Sequence, residues 1–389
     1  MKSNIFIKSL LSLAVIAAPA VMTSCGDSDS PKSDDETPVD SKNLDYSADN
    51  AKGWHNYSVN VAGLLTKDSE SLYDSWDVSY DGGRSYRDIF CDHNNSNYKS
   101  ALECIEEILD GCADIANEVG EQKIGDPYQK YKSGRTEEAL YAVESWYSWH
   151  SRDDYSNNIL SIRNSYNGST DGKTARASMA TLVSGLDADL HKATVDAIEN
   201  AYNAILNIPQ PFRNNIVSKE AEDAMAACET LEQLIDRRLK PFFSNLDAGH
   251  DGDLHDIVVN YADNVVLPTY RLLKECNSAL EQAVKTLAST PSDANFRKAA
   301  DAWLAAREPW EKSEAFLFGP VDALGLDPNM DSWPLDQDAI VNHLKSGNFD
   351  DLTWSDGDDD DKVEAAQNVR GFHTLEFLLF KDGKARTVK

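Results

Sequence analysis

Apolar residues recur at every third or fourth position along most of this 389-residue chain, and sustained alternation of apolar and polar residues occurs nowhere in it. Such spacing gathers apolar side chains on one side of a helix and leaves no face for a strand to bury. The clearest case is 254–288, where Leu267, Tyr270, Leu273, Leu280, Val284 and Leu287 fall near one face and Glu275, Glu281 and Lys285 lie elsewhere. Unbroken, that helix is about 50 Å long at 1.5 Å per residue, with Pro268 expected to bend it or end its first segment. The same spacing predicts helices over 49–65, 68–79, 98–120, 134–162, 175–184, 188–206, 212–216, 218–242, 292–308 and 361–380, with Ser292 and Asp293 capping the 292 helix. Breaks are expected at Gly82-Gly83, Gly125-Asp126-Pro127, Asn167 to Gly172, Pro209-Gln210-Pro211 and Gly319 to Pro334. Helices that return antiparallel must cover one another's apolar faces, so the expected fold class is all-α with two bundles. They are expected over 46–250 and 251–389, divided near 240–255, where Pro241 and AGHDGD interrupt the periodicity.

The ends of the chain carry different signals. Residues 1–24 place Lys2 and Lys8 around a short apolar run that ends in Thr23-Ser24 before Cys25. This reads as a secretion signal and resembles the bacterial lipoprotein type, in which Cys25 is the acylated residue. Residues 25–45 are rich in Asp, Ser and Pro and read as an acidic flexible tether. The expected location is the cell envelope, as an outer-membrane lipoprotein facing the periplasm or the outer surface, attached to the membrane through its lipid anchor only. With 37 Lys and Arg against 66 Asp and Glu, a net charge of −29, the chain should repel phosphate backbones, and no nucleic-acid partner is expected. Cys91, Cys104, Cys112, Cys228 and Cys276 form no C-x-x-C pair and read as buried small apolar residues. The acidic run SDGDDDD at 355–361 lacks the glycine and glutamate positions of an EF-hand loop.

Three stretches carry residues suited to chemistry. Gly371, His373 and Glu376 precede the apolar run Phe377 to Phe380, and an i,i+3 spacing lets the imidazole and carboxylate converge on one ion or one proton. Equally, the pair could satisfy each other in a core. In 303–336, Arg307, Glu311 and Glu314 can share a helical face among Trp303, Trp310 and Phe316, followed by Asp331, Trp333 and Asp336. A buried arginine there would hold carboxylates through its planar fork, or simply stitch helix to loop. In 144–158, Glu144 and Ser148 are expected on one helical face, with His150, Asp153, Asp154 and Asn158 following. Neither H-E-x-x-H nor H-x-x-E-H occurs, nor any G-x-S-x-G, P-loop or G-x-G-x-x-G string.

The string VRGFHTLEFLLF carries the G-x-H-x-x-E motif of the imelysin-like proteins, and AAREPWEKSEAFLFGPVDALGLDPNMDSWPLD resembles that family's other strong block. The order is unusual. Residues resembling the family's late blocks, ESWYSWHSRDDYSNN at 144–158 and IRNSYNG at 162–168, precede those two, as a circular permutation would produce. Where the family pattern resembles S-x-F-S-D-N-T-H, this chain has Trp149 and His150 in the Asp and Asn places. The resemblance implies two four-helix bundles facing each other, a site between them that joins the three stretches, and a role in bacterial iron uptake.

The expected function is binding of iron, Fe(III) or Fe(II), or of an iron chelate, at the seam between bundles, with an outer-membrane uptake partner. His373, Glu376, Glu311, Glu314 and Asp336 are the expected ligands or their immediate support, and Gly371, Arg307, Glu144, Ser148 and His150 support the site. Carboxylates with one imidazole suit a hard or borderline ion, and zinc is a further possibility. Two other classes stay open: a zinc-dependent peptidase with Glu376 as base, and a structural or carbohydrate-binding surface protein. Catalysis is not the expected activity, because the ligand set of a zinc hydrolase is incomplete.

Overall fold

A computed structural model describes residues 44–355 and 357–388, all within one compact unit, so the signal, the tether and Cys25 lie outside the described residues. The helices that build the bundles and the site are α1 (Ala51–Asp77), α2 (Ala101–Asn117), α3 (Ser151–Asn167), α4 (Ala188–Asn207), α5 (Lys219–Leu234), α6 (Asp251–Tyr261), α7 (Leu267–Ser289), α8 (Asp293–Glu311) and α9 (Gly371–Leu379). Among the described residues the only strands are Phe380–Lys381 and Lys384–Ala385, a two-residue antiparallel pair. No helix of the described residues is long and apolar enough to cross a membrane.

Helix starts follow the sequence. Ser292 caps α8 by accepting from Asn295 N, and Ser100, Asp187 and Ser218 do the same for α2, α4 and α5. The prolines behave differently from expectation. Pro127, Pro241 and Pro268 do not break their helices, because each follows a π-helical stretch, at Glu118–Ile124, Ile235–Leu239 and Ala262–Val266. A proline leaves the carbonyl four residues earlier without a partner and crowds it. Those carbonyls, of Lys123, Arg237 and Asn264, all lie inside the wider π turns, so the chain passes each proline while staying helical.

The helices close into two bundles. α2, α3, α4 and α5 pack in a ring, with α2 against α5, α5 against α4, α4 against α3 and α3 against α2. In the other, α1 packs along α7, α7 along α8, and both α1 and α8 against α9. Membership therefore does not follow the expected segments 46–250 and 251–389, since α1 joins the helices of the second. A cut in sequence assumes that neighbours in the chain are neighbours in space. Here the two described ends of the chain meet instead. Arg386 Nη1 donates to Asp45 Oδ1 at 2.7 Å and Trp54 Nε1 to Leu378 O at 2.9 Å. Ends held together in this way are the condition a permuted order requires.

Two expected helices are interrupted, both at the site. The 134–162 helix is instead Thr136–Ala142 and α3, joined by a turn at 143–150 in which Ser145 and Trp149 have φ of 48° and 63°. The 361–380 helix is Asp360–Gln367 and α9, broken before Gly371, whose φ is +81°.

Candidate metal centre

Four parts of the chain converge on one buried polar cluster. α8 presents Arg307 and Glu311, α9 presents His373 and Glu376, the short helix Leu326–Asp331 presents Asp331, and α3 with the turn before it presents Asp154 and Ser148. Arg307, Glu311, His373 and Glu376 are each no more than 1% exposed. Charges so placed must be paired, and they are.

Arg307 is the hub. Its guanidinium pairs with Asp331 and, at 2.5 Å, with Glu311 Oε1, while Nε lies 3.6 Å from Asp154 Oδ2. Asp331 also accepts from Trp310 Nε1 at 2.6 Å and faces His373 Nε2 at 3.1 Å. The other imidazole nitrogen, Nδ1, faces Glu376 Oε2 at 3.1 Å. The remaining oxygen of Glu376 accepts from Tyr147 N at 3.0 Å, Ser148 N at 2.7 Å and Ser148 Oγ at 2.7 Å. The turn at 143–150 thus serves to bring two amides and a hydroxyl onto one carboxylate oxygen. Ser148→Ala removes one of these three donors and should lower the unfolding free energy by about 1.5 kcal/mol in urea titration, at the low end for a bond to a charged acceptor. A change below about 0.5 kcal/mol would mean that the two amides suffice.

Acid outnumbers base here. Burial pushes the Glu311 carboxyl up, Arg307 pulls it down and Asp154 adds to the rise, leaving it at about 8. Burial likewise raises Asp154 to about 7 against the pull of Arg307. Glu314 is raised well above the carboxylate range by burial, with the Lys123 ammonium opposing and Glu311 adding to the rise. Asp331 goes the other way, since Arg307 and His373 overcome its burial and hold it well below its ordinary value. For His373, burial and the Arg307 charge push down, but Asp331 and Glu376 prevail and hold it up at about 9. Asp331 and Glu376, facing its two nitrogens, hold this imidazole toward its charged form, while Nε2 also lies 3.4 Å from Arg307 Nη2. Behind the cluster, buried Lys123 lies 3.1 Å from Glu144 Oε2 and 3.4 Å from Glu118 Oε1.

A carboxylate oxygen from each of Glu311, Glu314 and Asp331 lies within 4.8 Å of the others. This group contains no histidine. Asp154 Oδ1 and Asn158 Oδ1, both buried, find no hydrogen-bond donor. Crowded carboxyls, two of them pushed toward the protonated form, with orphaned acceptors nearby, are what a cation would satisfy by displacing those protons.

The sequence profile of the imelysin family, described as peptidase M75, matches residues 26–238 and 266–389. The chain belongs to the imelysin family. A crystal structure of an imelysin peptidase from Bacteroides ovatus is 58% identical, with a TM-score of 0.89 over 90% of this chain and 100% of that one. Iron-regulated protein A of Synechococcus elongatus is 35% identical over 130 residues, 32% of this chain and 31% of that protein, so the alignment spans about a third of that relative's length. The profile's division into two segments is consistent with the permuted block order read from the motifs, and the helices form the bundles expected of an imelysin.

In this imelysin, Arg307, Glu311, Glu314, His373, Glu376 and Ser148 lie in one cluster. Glu144 lies on the Lys123 side of the cluster. His150 sits at its edge, 3.4 Å from Asp153 and 3.9 Å from Asp154, half-buried and lowered by burial. Asp336 is the correction. It is exposed and caps the helix Gln337–Ser346, accepting from Ala339 N at 2.9 Å, and Asp331 takes the inner position. Gly371 starts α9, with a φ of +81° that favours glycine. Asp154 and Asn158 stand in the 144–158 stretch with no role that spacing reveals, and no motif marks Lys123 or Ser145. Ser145 Oγ donates to Asp154 from the left-handed turn, and Lys123 sits in a π stretch that no local pattern announces.

Proposed function

We propose that this imelysin binds iron at the buried carboxylate centre between its bundles, as part of iron handling in the cell envelope. The observation that carries the reading is the group Glu311, Glu314 and Asp331, three oxygen donors within reach of one ion in a site with more acids than bases. Hard oxygen ligands suit Fe(III) or Fe(II) better than soft ions, with zinc a competitor to be measured. In this reading Asp331, Glu311 and Glu314 supply oxygens, and the cationic pair Arg307 and His373 holds Asp331 and Glu376 in place. Burial of the site favours an ion over an intact chelate, for which the bundles would have to part. The name of the Synechococcus relative, iron-regulated protein A, agrees with an iron role. Residues 1–25 support attachment as a lipoprotein at the outer membrane, where an uptake partner would deliver or collect the ion. A zinc peptidase is less well supported, because the carboxylate group contains no histidine and both nitrogens of His373 are engaged.

Glu314→Gln and Glu311→Gln are the informative variants, since an amide is isosteric with the protonated acid that burial favours at neutral pH. Both should fold. Titration calorimetry and metal analysis are expected to show one iron per wild-type chain and at least about 10–100-fold weaker binding in either variant, since loss of a group that merely orients a ligand already costs that much. Equal binding by wild type and both variants would overturn the reading.

A further inference from the structure

The helix Tyr86–Asp92 and α6 meet at the surface, and the junction uses none of the residues of the buried centre. His93 ends the first helix with φ of 32°, and its ring crosses to α6, where Nε2 lies 2.9 Å from Nδ1 of His255. The rings are 5.1 Å apart and inclined at 69°. Beside them, Arg87 donates Nε and Nη2 to the two oxygens of Asp263, each at 2.8 Å, which ties the first helix to the π-helical stretch Ala262–Val266 that continues α6. Two nitrogens bound at about 2.05 Å to one ion and at right angles to each other are about 2.9 Å apart, so this separation suits shared coordination once the rings turn their lone pairs from each other toward a common point.

We propose that His93 and His255 form a surface site for a borderline divalent ion, Ni(II), Cu(II) or Zn(II), bound through Nε2 of His93 and Nδ1 of His255 with water completing its shell. Imidazole nitrogens prefer such ions, whereas the buried centre offers oxygens. In the metal-free pair one facing nitrogen carries the proton that the other accepts. On binding, that proton moves to the far nitrogen of the same ring, both facing nitrogens donate lone pairs, and no proton is released. The chain's net charge of −29 raises the local concentration of cations around it.

The test is Ni(II) titration calorimetry on the intact protein, on His255→Ala and on His93→Asn, asparagine being tolerant of the left-handed backbone. Wild type should take up one Ni(II) that each single variant binds at least about tenfold more weakly, while Glu311→Gln keeps it. The proposal is overturned if wild type takes up no Ni(II), if the histidine variants match wild type, or if Glu311→Gln is the variant that loses the ion.

Discussion

Arg307→Met should lower the unfolding free energy by about 3–5 kcal/mol at pH 8, the cost of leaving buried charges without their partner. Asp331, Glu311 and Asp154 all face this guanidinium, so its removal strands three carboxyls in a site with almost no exposure. Protonation is their escape, and it makes the penalty depend on pH. Glu311 and Asp154 already stand at about 8 and 7, above the ordinary carboxylate values of about 4 that hold in the unfolded chain. A carboxyl raised on folding stabilises most at low pH and loses that contribution as pH rises from about 4 through its folded value. His373, held at about 9, has its contribution in full below about 6.5 and loses it as pH rises through 9. The depressed Asp331 has the opposite sign, stabilising above the ordinary carboxylate range and losing that contribution as pH falls below it, and His150, lowered by burial, likewise costs stability as pH falls through its ordinary value. The metal-free protein should therefore be most stable near pH 5 and weaken toward pH 9, and the Arg307→Met deficit in urea titrations should be smaller at pH 5 than at pH 8. An equal deficit at both values would show that Arg307 matters for packing and little for charge.

Gly371→Ala should lower stability by at least about 2 kcal/mol, the scale of a residue forced into an unfavourable backbone region. A methyl group there meets two obstacles. The backbone has φ of +81°, and an added Cβ would lie 2.4 Å from Met330 O, the residue before Asp331. Relief requires either α9 or the short helix Leu326–Asp331 to shift, and these two elements hold His373 and its partner Asp331. The substitution should thus weaken both the fold and the metal centre, read as a lower urea midpoint and a loss of iron affinity. If iron affinity is kept while stability falls, the strain is absorbed in the preceding segment and leaves the site intact.

Helix content was legible because it rests on local spacing, and the cap at Ser292 rests on local chemistry. Three things were not. The prolines at 127, 241 and 268 signal a missing donor, but whether the chain breaks or widens into a π turn depends on packing beyond the local sequence. The turn at 143–150 has helical spacing of aromatic residues and takes left-handed backbone at Ser145 and Trp149 only because its amides close on Glu376 and its Tyr147 carbonyl accepts from Gly383 N. The position of α1 follows from the joining of distant ends, which periodicity does not encode. Within the site, the motifs located Arg307, Glu311, Glu314, His373 and Glu376. The choice of Asp336 over Asp331 was open to local reasoning, since an aspartate just before QDAIVNHL is a helix cap signal.

The most direct measurement is an anomalous difference map at the iron edge from crystals of the protein loaded with Fe(III). The expected result is a single buried peak at about 2.0–2.2 Å, ordinary lengths for metal–carboxylate bonds, from oxygens of Glu311, Glu314 and Asp331. Iron confined to the surface, with Glu311 and Asp331 still paired to Arg307, would contradict a metal centre between the bundles.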